Sequence, residues 1–245
     1  MGEQVWPQRY SAIMNDGKKG RAAARCGLGA LMGSKMLKAI VVGGNQEIPI
    51  FDRVRLKESN KKIYQACPRK KRTDVIEDYV EEIKVAFRTG GVPVKNWQGG
   101  VFDPGEKFAE GLRGARMGFC SRCPFSDTES MYNAKGERHI LWEHWGPMGT
   151  NCLIDDVEAL QASFSLCQRY GLDCISTGGV LAFAMECCEK GLISKKDTGG
   201  IDLTWGNHQA MVEMVKLFGE REGFGRLLGE GVRRAAEQIG GTASE

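Results

Sequence analysis

Two cysteines two residues apart, Cys120 and Cys123, carry the sharpest chemical signal in the chain. A short loop between such a pair points both sulfurs the same way. Zinc sites, iron–sulfur clusters and redox dithiols all use this spacing. A redox dithiol normally follows a strand in a βαβ setting, which is absent here. The zinc alternative has further support in sequence. Cys123 is followed after fifteen residues by His139, and His144 lies four intervening residues on, so the spacing fits a zinc finger loosely. With the basic run upstream, it makes a zinc- or nucleic-acid-binding module on Cys120, Cys123, His139 and His144. Against it, the positions of a finger's aromatic and leucine hold Asp127 and Asn133. Glu143, inside the aromatic stretch 141–145, is a carboxylate whose partial desolvation would raise its pKa toward a general base's working range. Gly27, Gly29 and Gly33 form a glycine-rich turn with basic residues on both sides. It is neither a P-loop nor a Rossmann fingerprint, but its backbone amides could approach a phosphate closely.

The elements that must position these groups follow from composition and periodicity. The chain has 245 residues, 42% hydrophobic and 27% charged, which suits a globular protein and excludes collagen, coiled coil and full disorder. No stretch approaches the roughly 18 apolar residues of a membrane span, and the N-terminus lacks an apolar export region. Nine cysteines without an export signal argue for a reducing, cytoplasmic setting. Cys167, Cys174, Cys187 and Cys188 read as small buried hydrophobes. Residues 1–72 hold 16 basic against 5 acidic side chains, peaking over 53–72. Only Tyr64 could stack there, so a solvated helix face is expected rather than nucleic-acid contact.

The first fifty residues end in a strand-like run, Leu37 to Val42. Asp74 with Glu77 resembles a capping box opening a helix that runs to Gly90. Residues 92–151 read as irregular. Helices are expected from Asp155 or Asp156 to Gly171, over about 179–190, from near Asn207, and over about 225–239 with Leu228, Val232, Ala235 and Ile239 on one face. The helix at 179–190 is apolar nearly all round and should be buried. The expected class is α+β: a short β-containing N-terminal remnant followed by a mainly α-helical domain. One or two strands cannot make a stable sheet alone, so the chain reads as beginning inside a domain.

Six collinear segments, including residues 11–42, GVPVKNWQGGVF (91–102), CSRCPF (120–125), WEHWGPMGTNCLIDD (142–156), 170–193 and 220–240, resemble the tungsten-containing aldehyde:ferredoxin oxidoreductases. The resemblance implies tungsten, or molybdenum, between two pyranopterins, with a 4Fe–4S cluster nearby. It implies oxidation of aldehydes to carboxylic acids with ferredoxin as electron acceptor. A same-family alternative is a reductive tungsten enzyme acting on an aromatic thioester. By the same resemblance, residues 1–50 are the end of a pterin-cradling β domain and residues 51–245 are a helical domain. The remaining N- and C-terminal parts of the enzyme are then expected as partners, and a homodimer is compatible.

Site residues are carried over one by one. Arg25 and Cys26 match a pterin-contacting pair ahead of the turn at Gly27 and Gly29, although a small residue is usual in place of Cys26. Cys120 and Cys123 match two cluster cysteines, and Asp127 stands where the third is expected. Glu143 matches the glutamate beside the metal. Gly171, Leu172 and Asp173 match the end of a pterin motif whose first position, usually aspartate, holds Gln168.

Overall fold

The computed structural model describes residues 9–15, 21–66, 72–100, 102–117 and 131–244; Cys120, Cys123 and Asp127 therefore lie outside the described residues. The chain opens with a hairpin, β1 (Ile13–Asn15) and β2 (Arg21–Ala23), antiparallel with Ile13 opposite Ala23. It continues into α1 (Leu28–Ser34). Residues 37–51 then run without regular structure to α2 (Arg53–Ala66), in which every side chain is exposed. Over residues 53–66 the basic run is thus a solvated helix, as its sparse aromatics suggested. The strand expected at Leu37 to Val42 does not form. Ile40, Val41 and Val42 are 71%, 93% and 90% exposed. β-branched residues favour a strand only where a neighbouring strand and a covering layer receive them, and neither is present among the described residues.

The helical body comprises α3 (Arg72–Arg88), α4 (Gly105–Arg113), the short α5 (Trp142–His144), α6 (Val157–Tyr170), α7 (Cys174–Glu189), α8 (His208–Glu220), α9 (Gly223–Leu228) and α10 (Val232–Ile239). A two-residue ladder, β3 (Arg116–Met117) with β4 (Met131–Tyr132), lies beside it. The α+β class with a short β portion and a mainly helical body agrees with the sequence.

The helix starts are set by side-chain caps. Asp156 Oδ1 accepts from the Ala159 N–H at 2.8 Å, and Asn207 Oδ1 from the Ala210 N–H at 3.1 Å. Gly171 (φ +68°) ends α6 in the left-handed region that disfavours a side chain. Four expectations need correction. α7 begins at Cys174 rather than near 179, because Asp173 caps it and accepts from the Ser176 N–H. Gly178, a helix weakener by propensity, is required there. A Cβ on it would lie 2.4 Å from the Pro147 carbonyl oxygen, so glycine lets α7 lie against the turn that follows α5. Asp74 is not a cap, since α3 starts two residues earlier; Glu77 instead pairs with Arg113 of α4 at 2.9 Å. The helix expected over 225–239 is broken at Gly231 (φ +86°) into α9 and α10. The break rotates Val232 off the apolar face to 40% exposure while Leu228 and Ala235 stay buried. α4 was hidden in a stretch read as irregular, yet it buries Phe108, Ala109 and Leu112.

Trp145 sits at the centre of the core, edge-on to Phe108 with ring centroids 4.5 Å apart. Cys167, Cys174 and Cys187 are buried and Cys188 is half-buried, in line with their reading as small hydrophobes. No helix among the described residues is long and apolar enough to cross a membrane.

Candidate cofactor-binding site

Two turns more than 130 positions apart in sequence meet along one short segment, Tyr10 to Ala12. On the first turn Arg25 (φ +67°) and Gly27 (φ +71°) are left-handed, and Cys26 is exposed. Gly29 of α1 then packs on the backbone of Ser11, where a Cβ would lie 2.4 Å from the carbonyl oxygen. The second turn pairs with the same segment. Ala12 N–H donates to the Gly171 carbonyl at 2.7 Å, Asp173 N–H donates to the Tyr10 carbonyl at 3.0 Å, and Ser11 bridges to Leu172. The structure therefore brings together Arg25, Cys26, Gly27, Gly29, Gly171, Leu172 and Asp173. Leu172 and Asp173 are buried, and the Asp173 carboxylate is engaged at the start of α7 by the Ser176 N–H at 3.2 Å and the Ser176 hydroxyl at 2.5 Å.

Gln168, on the last turn of α6, opens onto a pocket of about 630 Å³. Its Oε1 is buried and accepts no hydrogen bond among the described residues. Met14, Lys135, Glu137, Arg138 and Arg169 share the lining. Sequence reasoning missed these charged residues, because only the tertiary fold sets residues 133–138 against α6. Glu137 accepts from Asn133 Nδ2 at 3.1 Å, Ser165 Oγ at 3.4 Å and Arg169 at 3.4 Å, and the Asn133 bond leads in holding its carboxyl below the usual range.

Glu143 is half-buried, one residue before the buried His144. The chain then passes through a π-helical turn, Trp145–Gly149, and a 3-10 turn, Thr150–Cys152; π-turns are rare and recur at functional sites. His144 packs its ring on Phe164 at 4.4 Å, and its Nδ1 accepts the Leu141 N–H at 3.1 Å, so the imidazole is neutral. Burial pushes its pKa down to about 3, and the positive charges of Arg138 and Arg25 add to the shift. Arg25 of the first turn and Arg138 of the pocket thus act on the same ring. His139 is also lowered by burial and hydrogen-bonds to the Ile140 and Gly111 backbone. The zinc-finger alternative fails on these two histidines. Both are core residues pinned by backbone groups, and neither lies on a helix that could enter a groove. Cys152 is likewise a structural thiol, pushed up to about 12 by burial, with Sγ 3.7 Å from the Pro147 and Gly178 carbonyls.

The histidine yields a stability prediction. An unfolded histidine gains a proton as pH falls through its ordinary value of 6.5, whereas folded His144 stays neutral until about pH 3. Its contribution is therefore fully present above about pH 7 and is lost progressively below 6.5. At pH 5 the loss from this residue is roughly 2 kcal/mol. Denaturant melts at pH 7.5 and 5 should show this loss, and His144→Gln should flatten the difference. An unchanged difference in the variant would assign the pH dependence elsewhere.

The family model described as aldehyde ferredoxin oxidoreductase, domains 2 and 3, matches residues 61–245, and the model of that family's N-terminal domain matches residues 5–44. The chain belongs to the aldehyde ferredoxin oxidoreductase family. Among its relatives, the tungsten-containing aldehyde ferredoxin oxidoreductase of Pyrococcus furiosus is 35% identical over 253 residues, covering 95% of this chain and 40% of the relative. The Pyrococcus abyssi protein of the same description is 33% identical, with 96% and 40% covered. An aliphatic sulfonate oxidoreductase, WOR-like subunit, from Pyrococcus furiosus is 30% identical, with 94% and 38% covered. This family member thus spans about 40% of the length of the curated relatives it matches. Its fold is shared with the BamBC active-site complex of benzoyl coenzyme A reductase, solved with 1,5-dienoyl-CoA, at a TM-score of 0.70 and 21% identity, over 96% of this chain and 38% of that one.

Proposed function

We propose that the chain is a segment of a tungsten- or molybdenum-pterin oxidoreductase that converts aldehydes to carboxylic acids and passes the electrons through a 4Fe–4S cluster to ferredoxin. One observation carries the reading. The residues that match the family's two pterin-contacting turns, far apart in sequence, lie along the same segment, Tyr10 to Ala12, next to a charged pocket. The residues present fit a pterin. Gln168 Oε1 is a buried acceptor in need of an N–H donor, Gly27 and Gly29 allow close approach to the backbone, and Arg25 and Arg138 supply positive charge for an anionic group.

When bound, the cofactor supplies the two-electron redox chemistry. The chain's own residues bind, orient and move protons. Arg25, Cys26, Gly27 and Gly29 on the first turn would hold the cofactor together with Gln168, Gly171, Leu172 and Asp173 on the second. In overall balance an aldehyde and water give a carboxylic acid, two protons and two electrons. A Glu143 carboxylate oxygen takes up one of those protons and releases it toward solvent, a role its half-buried position suits. Cys120 and Cys123 would ligate the cluster, with Asp127 as an oxygen donor in the third place. Oxygen is harder than sulfur and binds iron less well, so the cluster should be labile. The expected test result is aldehyde-dependent ferredoxin reduction by the full chain together with whatever polypeptides co-purify with it anaerobically. Turnover of an aromatic thioester alone would move the assignment to the reductive branch of the family.

A further inference from the structure

We propose that Thr150 and the strap Lys95–Trp97 are positioning elements for Glu143: they lock the π-helical turn Trp145–Gly149 in its wide register and so set the direction of the carboxylate. Three successive residues of the strap, none of them glycine, hold a left-handed backbone, with φ of +47° at Lys95, +47° at Asn96 and +64° at Trp97. L-residues visit this region singly, and a run of them persists only where the surroundings over-determine it. Here they do so from two directions. Toward the turn, the Lys95 N–H donates to the Thr150 carbonyl at 3.1 Å and the Asn96 N–H to the Asn151 carbonyl at 3.0 Å. Toward α7, Lys95 Nζ pairs with Glu189 at 2.7 Å and Asn96 Nδ2 donates to Glu186 at 2.5 Å. α7 itself lies against the same π-helical turn, where Gly178 meets the Pro147 carbonyl.

Thr150 is the residue on which the register depends. Its N–H faces two carbonyls, that of Trp145 five residues back and that of Gly146 four back. The first bond makes a π turn and the second an α turn. The Thr150 hydroxyl lies 2.5 Å from the Pro93 carbonyl and 3.2 Å from the Gly146 carbonyl, and it donates to the nearer. Pro93 also packs on Gly146, where a Cβ would lie 3.2 Å from the proline Cδ. Relaxation to an α register would take one residue out of the turn. One residue is about 100° of helical rotation, and α5 with Glu143 runs directly into the turn. Glu143 would then aim elsewhere while staying on an intact helix. The catalytic role of that carboxylate rests on the function proposed above; the lock on the turn does not.

The test compares wild type, Thr150→Val, Thr150→Ser and Asn96→Asp, each in the full chain with the polypeptides that co-purify anaerobically. Valine keeps the shape and loses the donor, whereas serine keeps the donor. Aspartate tolerates the left-handed backbone but sets a like charge beside Glu186. Thr150→Val and Asn96→Asp should lower kcat for aldehyde by roughly 10- to 100-fold, the scale expected when a reacting group is misplaced by about 1 Å. Thr150→Ser should recover most of the turnover. In a Glu143→Gln background neither substitution should lower turnover further, because both act through the group already removed. Hydrogen exchange followed by mass spectrometry needs no turnover. It should quicken over residues 92–99 and 143–152 in Thr150→Val and Asn96→Asp, and stay near wild type in Thr150→Ser. Should Thr150→Val fail to fold, Asn96→Asp, at a half-buried position, carries both measurements. Equal losses of turnover with and without Glu143 overturn the positioning role. Unchanged exchange over both segments overturns the lock. Full turnover in Glu143→Gln alone removes the role proposed for Glu143, and exchange then decides the lock by itself.

Discussion

Glu143→Gln is expected to lower aldehyde turnover by roughly 10²–10⁴-fold, the range for loss of a positioned general base or acid. The substitution is nearly isosteric and sits at a half-buried position on the short α5, so the fold should tolerate it. Tungsten and pterin content should barely change, because the residues proposed to hold the cofactor lie on the two turns and not on α5. The pH profile should lose the limb that reports the ionised carboxylate. Turnover unaltered at normal metal content would leave Glu143 as a structural residue beside the core.

Gly29→Ala should have the second large effect. The added carbon would meet the Ser11 carbonyl oxygen at 2.4 Å, and the obstacle is backbone rather than a side chain that can swing aside. α1 must then lift off the Tyr10–Ala12 segment, and the two turns lose their common support. Strain of this kind costs about 1–3 kcal/mol, which corresponds to roughly a five- to 150-fold loss of cofactor affinity if the displaced turn is part of the site. The melting transition of the helical body should change little, since the segment that moves lies at the body's edge and α1 buries no residue of its own. Cofactor content measured beside thermal melting separates the outcomes. Retained cofactor would exclude the first turn from the site. Loss of cofactor together with loss of the whole transition would make Gly29 a folding residue instead.

The parts of this molecule that sequence reveals are those governed by neighbouring residues. α6 and α8 were legible because Asp156 and Asn207 are caps and Gly171 is a left-handed stop, all readable within a few positions. α7 was mis-started because Gly178 and Gly179 look like breakers. The reason for Gly178, contact with the Pro147 carbonyl, is a tertiary fact. The break at Gly231 was overlooked because a single periodic face can be drawn through it. The run at Leu37 to Val42 has strand-forming residues but no strand to pair with, and pairing is what makes a strand. Of the candidate site, Gly27 and Gly29 are legible as a glycine-rich turn, whereas Arg25, Cys26 and Gly171 to Asp173 are legible only through family resemblance; no local spacing places the two groups on one segment. Lys135, Arg138 and Arg169 were not legible at all, since a cluster of cations from separate elements leaves no pattern along the chain. The histidines misled in the opposite direction: finger-like spacing put His139 and His144 forward as ligands, and burial makes them core.

Most directly, the cofactor reading is tested by elemental and pterin analysis of the full chain, purified anaerobically from its native source together with any polypeptides that accompany it. Tungsten or molybdenum, with pterin released in stoichiometric amount and both lost in Gly29→Ala, is the expected result. A well-folded wild-type protein carrying zinc alone, or no pterin at all, would contradict it.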